Sequence, residues 1–296
     1  MHDIKIGTLI GAGNVRKIMP KLIPYGFETF SITFWETVGD CDLELLAKDV
    51  KKIFEGTNCS ISCISIFGNP LLDTENAAAT RDGWKKLINA AYLFGTDLVT
   101  GFTGRITDRP VEESIPKFKE VFTPIAELAR EKGVKIAFEN CNMDGDWNRG
   151  DWNIAFNPKA WEMMFEAVPY ENIGLQWEPC HQMVQLVDPI PQLRKWVNKI
   201  FAVHGKDATI ARDVVREKGI SGCEPFVWHR TPGFGDSNWT DIISILRMSG
   251  FKGSIDIEGW HDPVYRDELE YTGQVHALNY LKNCRGGELV PNFETE

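Results

Sequence analysis

Short apolar runs alternate with longer amphipathic stretches along the whole of this chain. The run at 4–10 (IKIGTLI) predicts a first strand, and the stretch at 15–22 a helix. Strands are predicted again at 27–34, 59–67 and 98–102, with helices at 43–55, 77–94 and 111–131. The second half continues the rhythm, with strands at 134–140, 173–179, 200–207 and 253–259 and helices at 157–167, 191–197, 239–249 and 267–283. Repeated strand-then-helix units imply parallel strands, because a helical crossover returns the chain to the same end of the sheet. Eight units with no Pro/Gly/Ser-rich linker between them predict a closed (β/α)8 TIM barrel, a single domain over 1–284. The polar tail at 285–296 reads as loose or as an arm toward a neighbouring subunit. The length of 296 residues suits such a barrel, which takes about 250 residues before insertions.

Four of the predicted strands end on residues that bind metals. Side chains alternate along a strand, so each can be divided into two faces. The face that carries Glu139, Glu178, His204 and Glu258 otherwise holds Ala137, Gly174, Gln176, Ala202, Ser254 and Asp256. The opposite face holds Ile136, Phe138, Leu175, Trp177, Phe201, Val203, Ile255 and Ile257. In a barrel ringed by helices the bulky face meets the helices and the small face points inward. All four residues are then expected at one mouth of the barrel. One such Glu taken alone is an ordinary strand end; four in phase on successive strands indicate a site.

Two connections are long, 140–158 and 205–238, and both follow a strand that ends on one of these residues. Long βα loops lie on the C-terminal face of a barrel, where active sites are built. The loops carry or adjoin Trp147, Trp152, Trp228 and Trp260, together with Arg, Asn and Asp side chains suited to a polyol.

Composition narrows the chemistry. A net charge of −10 argues against a nucleic-acid surface and suits a small neutral or metal-bound substrate. The seven cysteines show no disulfide spacing, no apolar run reaches membrane length, and no signal peptide precedes Ile4. A reducing, cytoplasmic location without membrane partners is expected. No phosphate loop, dinucleotide fingerprint or nucleophile motif occurs; PGFG at 232–235 and GAGN at 11–14 are too sparse for either nucleotide motif.

Three carboxylates and one imidazole suit a divalent cation, Mn²⁺ first, with Mg²⁺, Co²⁺ or Zn²⁺ as other occupants. Together with a dication they sum to about one negative charge, which favours hydroxyl and carbonyl ligands over free phosphate. A cation bridging a carbonyl and its neighbouring hydroxyl acidifies the α-proton, and Glu139 and Glu258 come from different strands to remove and return it. His181 is read as a substrate contact or an acid. Lys206 is read as a partner for an alkoxide or as one arm of a salt bridge. His229 and Arg230 stand on a Gly/Pro-rich turn and are read as substrate contacts or loop anchors. His261 is a second-layer or acid candidate, and Trp35 a stacking surface for a sugar. His2 and His276 are left without a role.

The segments FEN (138–140), WEPCHQM (177–183), VHGKD (203–207), RTPGFGDSNW (230–239) and DIEGWHDP (256–263) resemble the xylose-isomerase-like barrel superfamily of sugar (phosphate) isomerases and epimerases. The resemblance covers almost the whole chain. It implies a Glu, Asp, His, Glu metal set on the last four strands, with the two Glu exchanging the substrate proton. Those roles fall on Glu139, Glu178, His204 and Glu258, and His181 matches the histidine that contacts substrate. Glu178 departs from the more usual Asp, and its extra methylene bears on metal preference. Such barrels often form dimers or tetramers.

The leading expectation is therefore a metal-dependent isomerase or epimerase of a ketose or keto-sugar, working through a metal-stabilised enediolate. The alternative is a lyase or dehydratase that removes the same proton and expels a β-group from a keto-sugar or keto-glycoside, in the manner of inosose dehydratase or a deglycosidase. A nuclease is disfavoured by the acidic charge and too few histidines for a multi-metal cluster. A non-catalytic sugar-binding barrel would have no use for a complete ligand set.

Overall fold

The apolar positions on the outer faces of the strands draw a ring of helices around a closed sheet. The computed structural model describes residues 3–291 and 293; His2 and residues 292 and 294–296 of the tail lie outside it. In chain order the first half is β1 (Lys5–Gly11), α1 (Val15–Leu22), β2 (Thr29–Trp35), α2 (Leu43–Phe54), β3 (Ser60–Phe67), α3 (Glu75–Phe94), β4 (Leu98–Gly101) and α4 (Val111–Glu131). Then come β5 (Lys135–Glu139), α5 (Pro158–Ala167), β6 (Ile173–Trp177), the short α6 (Cys180–Met183), α7 (Pro189–Trp196) and β7 (Ile200–Gly205). The last third is β8 (Asp207–Ile210), α8 (Arg212–Lys218), β9 (Val227–Arg230), α9 (Trp239–Met248), β10 (Ser254–Ile257) and α10 (Glu270–Cys284). Eight parallel strands close in the order β1-β10-β7-β6-β5-β4-β3-β2. This is a single-domain (β/α)8 barrel, as the rhythm of the sequence predicts.

Polar caps set where several helices begin. Asp42, Thr74, Asn157, Asp188 and Asn238 each accept a backbone N–H of the first turn of the following helix. Between sheet and helices the core is dense with rings. Phe138 on β5 packs edge-to-face at 4.8 Å from Phe122 and 5.6 Å from Phe118 on α4, and at 6.0 Å from Trp84 on α3. Cutting Phe138 back to Ala would cost about 3–5 kcal/mol, as such truncations do in close-packed cores.

The interior of the barrel is unlike that exterior. Its side chains are small or polar, among them Ser31, Cys63, Ser65, Thr100, Ala137 and Ala202. Ser65 and Thr100 hydroxyls lie 2.7 Å apart, and Thr29 donates to the buried Asp256 at 2.7 Å. β1 passes so close to this pair that a Cβ on Gly7 would strike Thr29 and Asp256. Burial pushes the Cys63 thiol up to about 11, so it stays neutral.

One connection differs from the sequence expectation. Residues 205–238 read as a loop, yet β8 and β9 pair there as an antiparallel hairpin, with Ala208 opposite His229 and Asp207 opposite Arg230. α8 crosses between them. The paired segments DATI and VWHR are four residues each and sixteen apart, too short and too distant for local periodicity to reveal. The start of the tail is held, since Arg285 pairs with Glu28 at 2.6 Å and donates to the Ile4 carbonyl at 2.7 Å.

Candidate metal centre and active site

Each of the four carboxylate and imidazole residues arrives by the same route, at or just beyond the C-terminal end of a barrel strand. Glu139 is the last residue of β5, His204 lies in β7, and Glu178 and Glu258 each stand one residue past β6 and β10. A ligand atom from each can be chosen so that all four lie within 4.8 Å of one another, and all four residues are buried. The parallel register delivers this: Glu139 pairs with Gln176 across β5 and β6, and His204 with Asp256 across β7 and β10.

The backbone beneath the cluster is clamped by asparagines. Asn140 donates to the Glu178 carbonyl at 2.9 Å and accepts the Glu178 N–H at 2.7 Å. Asn153, from the long loop, donates to the carbonyls of Glu139 at 2.8 Å and Cys141 at 2.7 Å. The loop itself wraps the buried Arg105, whose guanidinium donates to the carbonyls of Asp146 at 2.6 Å and Arg109 at 2.7 Å. Sequence reasoning missed Asn153 and Arg105, whose partners are backbone carbonyls up to 42 residues away. The FEN segment did contain Asn140.

The electrostatics of the cluster are unusual for buried groups. Both carboxylate oxygens of Glu178, both ring nitrogens of His204 and Oε2 of Glu258 are buried without a hydrogen-bond partner. His204 Nδ1 lies 3.1 Å from Glu258 Oε2 and 3.7 Å from Glu139 Oε2, close but not aligned to donate. Buried polar atoms left unpaired are costly, and several converging on one point fit a cation that all of them would face. Three hard carboxylate oxygens with one imidazole are a donor set for a divalent ion. Lys206 alters the charge expected from sequence. Its Nζ lies 2.8 Å from Glu258 Oε1, so three carboxylates, Lys206 and a dication together come to neutrality.

The titrations follow from these contacts. Burial holds the Glu139 carboxyl well above its usual range, with Glu258 and Glu178 adding to this and His204 opposing it. Burial also works against ionised Glu178 and Glu258. It is outweighed by His181 and Lys206 at the first, and by Lys206, His204 and His261 at the second, so both end below the usual range. Burial would lower His204, but Glu139 and Glu258 hold it up at about 9, where it carries a proton that a bound cation would replace. Burial and the nearby Lys206 push His229 down to about 3, so it is neutral.

Around the cluster lies a cavity of about 440 Å³ lined by Glu139, His181, Lys206, His229, Glu258 and His261, with an apolar wall opposite. His181 Nε2 is 3.1 Å from Glu178 Oε1 and 3.3 Å from Lys206 Nζ, and His261 Nε2 is 3.1 Å from Glu258 Oε1. The His229 ring stands between them, 5.2 Å from that of His181 and 5.9 Å from that of His261. The hairpin thus brings a third histidine to an arc running from Glu178 to Glu258. Trp35 lines the cavity and packs at 5.5 Å on Trp152. Arg230 does not line it; Asp262 takes its Nε at 3.0 Å, and its guanidinium lies over Phe234. Trp147 is likewise held elsewhere, donating to Glu112 at 2.8 Å. His276, given no role from sequence, stacks at 4.1 Å on Phe234 below the turn that follows β9.

A family model described as xylose isomerase-like TIM barrel matches residues 22–284, and the chain belongs to that family. It is 27% identical over 188 residues to the inosose dehydratase of Clostridium tetani, 59% of each chain. It is 28% identical over 212 residues to the inosose isomerase of Halalkalibacterium halodurans, 71% of this chain and 66% of that one. The matches therefore span less than two thirds of those relatives. Among solved structures, a xylose isomerase domain protein from Planctomyces limnophilus superposes with a TM-score of 0.74 at 16% identity, over 95% of this chain and 97% of that one. The IOLI protein, solved with a zinc atom bound, superposes at 0.63 and 19% identity over 95% and 96%. Among the described residues no helix is long and apolar enough to cross a membrane.

Proposed function

We propose that this protein is a divalent-metal-dependent isomerase or epimerase of a ketose, keto-sugar or keto-polyol. The observation that carries the reading is the convergence of four buried residues, Glu139, Glu178, His204 and Glu258, with unpartnered ligand atoms on the last three. Those four residues would hold the ion, Mn²⁺ by preference. When bound, it supplies a Lewis acid for a carbonyl and the hydroxyl beside it. Glu139 removes the proton α to the carbonyl, its carboxylate standing on the lining of the cavity. Glu258, held ionised by Lys206 and His261, stands on another strand and serves the opposite face of the substrate. Lys206 and His181 donate to substrate oxygens as negative charge develops on them.

A second reading, dehydration or another β-elimination, is favoured by one specific feature. In the arc of histidines, His181 and His261, either side of the neutral His229, offer proton donors beyond the two carboxylates, and one of them could protonate a departing hydroxyl or alkoxide. The inosose dehydratase and isomerase relatives are compatible with either outcome. Proton NMR in D₂O, with Mn²⁺ and a panel of ketoses, inososes and 3-keto sugars, separates the two. Deuterium at one carbon with a new epimer or isomer supports the first; loss of a β-substituent moves the protein to the second. Absence of exchange with every member defeats both.

A further inference from the structure

The mouth of the barrel is divided into two halves of opposite chemistry. β5, β6, β7 and β10 bring the charge, while Leu9, Phe34, Trp35, Phe67 and Phe102 come from the ends of β1 to β4. From the long loop Cys141, Met143 and Trp152 join Phe67 and Phe102 in one apolar cluster. Trp35 is 59% exposed and Trp260 49% exposed, both on the lining of the cavity that Glu139 and Glu258 also line. Large apolar surface left open at a charged site marks a place where something apolar docks.

Two further observations point to a small-molecule occupant. Met143, Asp144 and Trp260, all on the lining of this cavity, take positive φ, between 46° and 58°. A side chain as bulky as Trp rarely adopts that conformation, and it persists where the surroundings force it, commonly around ligands. The cavity of about 440 Å³ also lies in the range of about 300–1,000 Å³ of small-molecule sites, with room for a substituent beside a polyol ring. A polyol pushed against Phe67 and Phe102 would lose hydroxyl partners on that side, whereas an aromatic group would lose nothing and gain ring contacts.

We infer, on the function proposed above, that the substrate is a keto-sugar or keto-polyol bearing an aryl substituent. The polyol faces the charged half and the aryl group lies against Trp35 and Trp260. The test is calorimetric binding of phenyl and methyl 3-keto-glucosides to the Mn²⁺-loaded full chain, in the wild type and in Trp35→Ala and Trp260→Ala. The phenyl compound should bind about tenfold tighter, and the preference should fall toward unity in the variants with metal content unchanged. Both indoles are largely exposed, so circular dichroism should show both variants folded. Equal affinity of the two glycosides overturns the inference, as does a phenyl preference that survives in both variants. Failure of both glycosides to bind overturns it too. Deuterium exchange with free keto-sugars then shows separately whether the proposed function stands.

Discussion

Asp207 and Glu178 are both fully buried carboxylates, yet their surroundings are opposite. Asp207 accepts the N–H of Ala208 at 2.7 Å, that of Ser237 at 3.1 Å and the indole N–H of Trp239 at 3.0 Å. Glu178 has no hydrogen-bond partner on either oxygen and faces Glu258, Glu139 and His204. A saturated buried carboxylate is part of the scaffold: it ties the start of the hairpin to α9. The charge of Glu178 is instead balanced by His181 and Lys206 nearby, while no donor is aligned on its oxygens. Burial by itself does not mark a site; burial without donors does.

The largest effect that could break this contrast is on chemistry. Glu139→Gln and Glu258→Gln should each lower solvent-deuterium incorporation by about 10²–10⁴-fold, the usual worth of a general acid or base. The metal-free Glu139→Gln protein should keep its thermal stability, since burial already opposes a charge there, whereas Glu258→Gln leaves the buried Lys206 without its partner and should lose stability. Persistent exchange in either variant would strip that residue of its proton-transfer role.

Next comes metal linkage. Mn²⁺ at about a hundred times its Kd should stabilise the wild type by about 2.7 kcal/mol, a rise in Tm on the order of 5–10 °C. His204→Ala should lose that rise, and an equal rise in the variant would remove His204 from the ligand set.

Asp207→Ala should behave in the reverse sense. It leaves three N–H groups unpaired and should cost about 3 kcal/mol in urea denaturation, while metal content is retained. Loss of metal with no loss of stability would mean that the two kinds of carboxylate are not distinct.

The smallest effect concerns Asp262, which binds the end of the hairpin to the loop after β10. Burial alone would raise its carboxyl, but the N–H groups of Thr231, Tyr265 and Val264 and the Arg230 guanidinium hold it below the usual range. Its contribution is therefore present above the unfolded value of about 3.9 and is lost as pH falls through the lower folded value. Between pH 5 and pH 2 the urea midpoint of Asp262→Asn should fall less than that of the wild type. Equal slopes would show that Asp262 is not among the groups that make the protein acid-sensitive.

The Asp207 contrast also shows where reading the sequence stops. Lys206 and Asp207 are neighbours, and both were visible as charged residues after His204. Nothing local says that one turns toward Glu258 and the other toward Trp239. Strand ends were legible because period two puts Glu139, Glu178, His204 and Glu258 on the face shared with Ala137, Gly174, Ala202 and Asp256. Arg230 and His229 are likewise adjacent on β9, and their alternation sends the histidine into the cavity and the arginine to Asp262.

The sequence alone determined the barrel and the common phase of Glu139, Glu178, His204 and Glu258 at its strand ends. These follow from hydrophobic periodicity, which is a local property repeated at each strand and helix. Only the tertiary structure decided the hairpin of β8 and β9, the arrival of His229, the asparagine and arginine clamps, the pairing of Lys206 with Glu258 and the division of the mouth into charged and aromatic halves. Each depends on which residues meet after the barrel closes. Partners tens of residues apart are chosen by distance and hydrogen-bond geometry, and these leave no period in the chain.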